Sequence, residues 1–390
     1  MDAEESPTLD PALFDRLRSA LAADGPRAAV DRLCDDLQAA GDVQNLFYAR
    51  LLRARLDLGV SPFPTGPSSD LPPHTHEPYE AAIRTAGREA GHALLARGDI
   101  PKAWTFFRML GEPDPVREAL KAYTPGPDDD TYPVVEVAWQ QGLLPEKGFD
   151  LVLDRSGVCA AITMTHSSDL SQNPALRDYC TRRLVKAVYD QLSDRVRGDL
   201  VGRGIDPGVK SVGQLVADHP DLFAEDVYHI DTSHLSSVCQ MALTLPPGQE
   251  LGLARELCAY GEKLSPGLRG SNDPPFDDTY ADYRRYLDVV AGVEVEAGLA
   301  HFRKKLEAGA AEGYRYPAEV MVNLLLKADR LPEAVAVAKE HLADADERSL
   351  SCPSLAELAK RAGDYGSLAE SAKAKADPVT YLAALIAGRA

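Results

Sequence analysis

Apolar residues recur at three- and four-residue spacing along most of this chain, and short turn signals interrupt them. The first such run puts Leu13, Phe14, Leu17, Ala20 and Leu21 on one stripe, the 3.6-residue period of an amphipathic helix. Asp10 reads as its N-cap and Pro11 as its first helical residue. A second helix is expected over residues 26–40, stopping at Gly41, and a third over 43–58. Helices resume over 79–97 and 100–110 and run almost without a break from 277 to 390. Strand signals are few. Residues 151–153 and 158–164 read as short strands, although 159–162 fits a buried helix equally well. The expected fold class is all-α.

Proline and glycine divide the run. Pro62, Pro64, Pro67, Pro72, Pro73 and Pro78 crowd into 18 residues, a density that neither a helix nor a central strand tolerates. Residues 61–78 are therefore expected to form a Pro-rich loop or linker. It separates N-terminal helices (1–60) from a central helical region (79–275) and C-terminal helical repeats (276–390). Lesser breaks fall at 125–130, 202–213, 246–248 and 266–275.

One turn pattern recurs. A helix ends at a small residue, Asp follows, and a second helix begins with alanine or another small residue early in it. Gly98-Asp99 followed by Ala103, Ala328-Asp329 followed by Ala334, and Gly363-Asp364 share this pattern. Gly41-Asp42 and Gly142 are looser versions. Asp329 and Asp364 lie 35 residues apart, near the roughly 34-residue period of tetratricopeptide (TPR) repeats. The chain resembles that family in part. The resemblance implies an irregular α-solenoid of antiparallel helix pairs with a concave face, on which such proteins bind a peptide or a partner protein. A non-repetitive helical bundle using the same Gly-Asp turns is the alternative.

Composition narrows the function classes. The chain carries 42 Lys and Arg against 60 Asp and Glu, a net charge of −18. Nucleic acid and anionic membrane surfaces are disfavoured as partners, and a basic partner or cationic ligand is favoured. No apolar run reaches the length of a spanning helix. The acidic start, Met1 to Pro7, lacks the apolar core of a secretory signal. The six cysteines form no CxxC pair, so buried free thiols and a cytoplasmic location are expected.

Candidate chemistry is local. His229, Asp231 and His234 crowd a helix start. On a continuous helix His229 and His234 would diverge by about 140°. They converge only if the chain turns into a helix near Asp231. In that geometry they offer imidazole and carboxylate ligands to a divalent transition metal such as zinc, iron or manganese. The same turn fits a helix capped by Asp231 or Thr232 with structural histidines. A His74-x-His76 pair beside Glu77 shares a face if its loop is extended. His166 and His76 are further candidate ligands for the 229–234 site. Tyr280, Tyr283 and Tyr286 form one helical stripe, which either packs on the next helix pair or lines a sugar- or peptide-binding surface. Trp104 and Trp139 read as packing residues. No GxSxG, P-loop, EF-hand or kinase signature is present, and Gly202-Arg203-Gly204 lacks the third glycine of a dinucleotide fingerprint. Two functions are therefore expected: a helical interaction module, or a metal-dependent enzyme on a helical scaffold built around His229, Asp231 and His234.

Overall fold

A computed structural model describes residues 11–64 and 71–389. Among them every regular element is helical. The region 145–166, where strands were considered, is helix. The chain divides into two compact units, Met1–Arg155 and Ser156–Ala390. No described helix is long and apolar enough to cross a membrane.

The first unit contains α1 (Ala12–Ala40), α2 (Val43–Asp57), α3 (Pro73–Ala96), α4 (Ile100–Leu110), α5 (Asp114–Ala122) and α6 (Tyr132–Val135). A wider helical turn, Glu136–Gln140, follows α6. Gly25 breaks α1, with φ 86° and ψ 179°, close to where the first two helices were expected to part. The expected cap Asp10 lies outside the described residues. Helices adjacent in sequence pack together: α1 on α2, α2 on α3 and α3 on α4. Gly91 sets the α3–α4 approach, because a Cβ there would lie 2.5 Å from the Phe107 ring. Trp139 is buried against Phe149. Trp104 is half-buried, and its indole nitrogen has no hydrogen-bond partner among the described residues.

The expected Pro-rich loop 61–78 overlaps α3 at its C-terminal end, and its residues 65–70 lie outside the described residues. α3 starts at Pro73, with Pro72 at the N-cap, and carries Pro78 inside it. A proline in the first helical position gives up no intrahelical bond, and its fixed φ suits the helix. Arg55, 5% exposed, secures the start of the segment. Its guanidinium donates to the Ser61 and Phe63 carbonyls at 2.6 and 3.1 Å and lies over the Tyr79 ring.

α7 (Pro145–His166) is broken at Gly157, beside the division between the units. The second unit then contains α8 (Pro174–Gly202), α9 (Val212–Asp218), α10 (Thr232–Ala242), α11 (Gln249–Gly261) and α12 (Pro266–Arg269). After these come α13 (Thr279–Val290), α14 (Val295–Ala311), α15 (Tyr316–Lys327), α16 (Leu331–His341), α17 (Leu355–Ala362), α18 (Tyr365–Ala374) and α19 (Pro378–Ala387). Along α8, Leu176, Cys180, Leu184, Val188, Leu192, Val196 and Leu200 are all buried. A four-residue repeat advances about 40° per step around a helix. The stripe therefore winds too far to face one straight partner, and α9, α10 and α11 share it. From α13 onward each helix packs on its sequence neighbour, through to α18 and α19.

The Asp-containing turns form as the sequence implies at three places. Gly41, Gly98 and Gly363 take left-handed φ of 72°, 76° and 67°. The carboxylates that follow cap the next helix: Asp42 accepts from the Asn45 amide, Asp99 from Lys102 and Asp364 from Ser367. The fourth turn differs. Asp329 itself occupies the left-handed position, with φ 57°, and α16 starts without a side-chain cap. All six cysteines are free. Five are buried, whereas Cys159 is exposed.

Candidate binding groove

The segment 228–234 folds as a capped helix start. Asp231 is the N-cap of α10 and accepts from the amides of Ser233 and His234 at 2.9 and 3.1 Å. The Ser233 hydroxyl and the His234 amide hold its carboxyl below the usual carboxylate range. His229 turns the other way. Its Nε2 lies 3.0 Å from Asp199 and its Nδ1 lies 3.2 Å from the Tyr260 hydroxyl, which also accepts from the His229 backbone amide at 2.7 Å. Asp199 accepts, so Nε2 carries a proton, and Nδ1 bonds the Tyr260 hydroxyl. The result is a carboxylate–imidazole–phenol chain. Its phenol is fully buried, and burial pushes its pKa up to about 12. The phenol end lies inside the core, and the partly exposed carboxylate end is also paired with Arg203 at 2.7 Å.

His229 and Asp231 are thus turned to separate partners, and His234 gives its backbone amide to the Asp231 cap. His166 is an exposed residue at the end of α7. His74 and His76 sit on α3, not in an extended loop. Two residues apart on a helix point about 200° apart, so the shared face that the His-x-His pair requires does not form. His76 instead contacts the Leu71 carbonyl at 2.6 Å. Among the described residues no group of three His, Cys, Asp or Glu side chains is placed to hold a metal ion.

The tyrosine stripe on α13 has three different environments. Tyr280 is buried against Gly261, and its hydroxyl has no partner among the described residues. Tyr283 is buried and accepts from the Asn272 amide at 3.0 Å. Tyr286 is 4% exposed and packs its ring on Phe276 and Phe302. Its hydroxyl has no hydrogen bond within the described residues, and the side chain lines a groove of about 350 Å³. The same helix supplies Asp282, a buried carboxylate. It accepts from His301 at 2.7 Å, from Lys305 at 2.8 Å and from the Asp278 amide at 2.9 Å.

α15 forms the groove's other wall. Tyr316, Val320, Asn323 and Lys327 all line it and stand at i, i+4, i+7 and i+11, one face of the helix. Neighbouring segments are tied to the same helix. Glu319 accepts from the Ser351 amide and hydroxyl at 2.8 and 2.6 Å, and Asn323 donates to the Ser351 carbonyl at 3.0 Å. The Lys327 ammonium donates to the carbonyls of Thr244 and Leu245, just past α10, at 2.9 and 3.0 Å. Burial lowers the Lys327 pKa. Arg177, near the start of α8, completes the rim, with its Nε and Nη2 on Asp178 at 3.3 and 3.2 Å.

Other clefts are larger, including one of about 690 Å³ in the first unit lined by Phe47, Tyr48, Arg97, Phe106 and Met109. One of about 530 Å³ between α9 and α11 contains Arg255, Arg284 and Glu256. All three are committed, to Asp288, to Glu262, and to Tyr189 with the Gly213 amide respectively.

Of the groove residues, only Tyr286 was singled out from the sequence, as one of a stripe. Arg177, Asn323 and Lys327 were missed. A usable signal was present: Glu319, Asn323 and Lys327 recur at four-residue spacing in an otherwise largely apolar α15. Comparison with protein-family models, with curated proteins and with solved structures returned no match.

Proposed function

We propose that the chain is an interaction module, an irregular TPR-like α-solenoid whose second unit holds a peptide segment of a partner protein in the groove between α13 and α15. The neighbour-on-neighbour packing of the helices and the Asp-containing turns support the solenoid reading. The observation that carries the binding reading is the Tyr286 hydroxyl. It opens into an aromatic-walled groove and has no hydrogen-bond partner among the described residues. The oxygen is open to the groove, where a peptide backbone can take the place of water as its partner. Phe276 and Tyr316 supply flat apolar walls of the kind that anchor peptide side chains. The −18 charge favours peptides with basic flanks.

The test uses a solution library of N-acetylated heptapeptides, half with free C-terminal carboxylates and half amidated. The photoreactive residue benzoylphenylalanine replaces Tyr316 in one sample and the exposed Phe14 in another. Peptides should crosslink at position 316 and not at 14. Equal labelling at both positions, or at neither, rejects the groove as the binding site.

A further inference from the structure

The Lys327 ammonium has an unusual position. It is half-buried, and its two protein partners are both uncharged carbonyls. Among the described residues no carboxylate lies within ion-pair distance of it. Charges taken out of water are ordinarily paired with an opposite charge. An ammonium has three donors, so one remains after Thr244 and Leu245. Arg177, on the same rim, uses Nε and Nη2 on Asp178 and keeps Nη1 uncommitted.

The charged side chains that line the groove are both cations. In a chain of net charge −18, its lining includes two cations and no Asp or Glu. The nearest carboxylates have their own partners: Asp178 is on Arg177, and Glu319 is on Ser351. Beside the cations stand two further donors, the Tyr286 hydroxyl and the Gln240 amide, and beyond them the rings of Phe276 and Tyr316.

Resting on the peptide-groove reading, we infer that the groove takes a carboxylate carried on an apolar residue. The carboxylate accepts from the third Lys327 donor, from Arg177 Nη1 and from the Tyr286 hydroxyl. The apolar group lies against Phe276 and Tyr316. Charge-assisted hydrogen bonds of this kind are the strong ones. A peptide C-terminus and an Asp or Glu side chain present the same chemistry. A densely acidic peptide is repelled by the rest of the surface, so one carboxylate in a neutral or basic context is the expected ligand.

The two halves of the library separate these possibilities. Peptides that bind should favour the free acid, and amidation should weaken them at least about tenfold. Peptides that bind through a side chain should tolerate amidation and lose the same factor on Asp→Asn or Glu→Gln. Both patterns support a carboxylate ligand and identify its source. Lys327→Met should abolish the preference for acid over amide. Tyr286→Phe, which removes one oxygen and leaves the ring packing intact, should reduce it. The helical circular dichroism of both variants should match the parent. Peptides that crosslink at position 316 but bind equally well as acids, amides and side-chain amides overturn the carboxylate inference and leave the peptide groove standing. Absence of any crosslinked peptide removes both.

Discussion

At the scale of single residues, the chain places polar groups in its interior and then satisfies most of them. His229 is one case. Two histidines and an aspartate at a helix start read as metal ligands or as a capped turn, and the turn explains Asp231 while burial explains His229. Replacing His229 with Ala leaves the Tyr260 hydroxyl and Asp199 without the imidazole and opens a cavity. The expected cost is about 2–4 kcal/mol, read as a lower midpoint in urea unfolding. Asp199 also carries a pH signature. Its carboxyl is held below the ordinary range, first by Arg203 and also by His229. A carboxyl depressed on folding contributes stability that is full above its unfolded pKa and fades as pH falls through its folded one. The stability difference between the parent and Asp199→Asn should therefore be constant above about pH 5 and shrink below about pH 4. Chemical denaturation at a series of pH values measures it.

At the scale of elements, the sequence was legible where local chemistry decides the outcome. Gly41-Asp42, Gly98-Asp99 and Gly363-Asp364 each combine a left-handed glycine with a capping carboxylate, and both requirements can be read from adjacent letters. Asp364→Ala should cost about 1 kcal/mol, and Asp364→Asn less, in the same unfolding assay. Gly261 is a different kind of glycine. It lets α11 approach α13 until only hydrogen fits against the Tyr280 ring. Gly261→Ala should destabilise by about 1–3 kcal/mol, even though alanine is the better helix former. Nothing local in the sequence announces this contact, because Gly261 and Tyr280 are distant in sequence. The groove was hidden for the same reason. Lys327 reaches carbonyls more than 80 residues away, and periodicity along one helix does not report what another helix brings to it. The prolines misled in the opposite direction. Their density marked a loop, but Pro72 and Pro73 are also good letters for starting a helix, and the chain uses them so.

At the scale of the whole molecule, composition and topology answer different questions. The charge of −18 describes the surface as a field acting on whatever approaches, whereas the groove is lined by two cations. A bulk figure averages them away. Two compact units also make any single measure of stability a composite. The distribution of indoles separates them. Trp104 and Trp139, the two tryptophans of the chain, both belong to Met1–Arg155. Emission excited at the red edge of protein absorption is therefore a private channel to that half. Melting confined to the tyrosine-rich second half would pass unseen at that wavelength and register only as lost ellipticity.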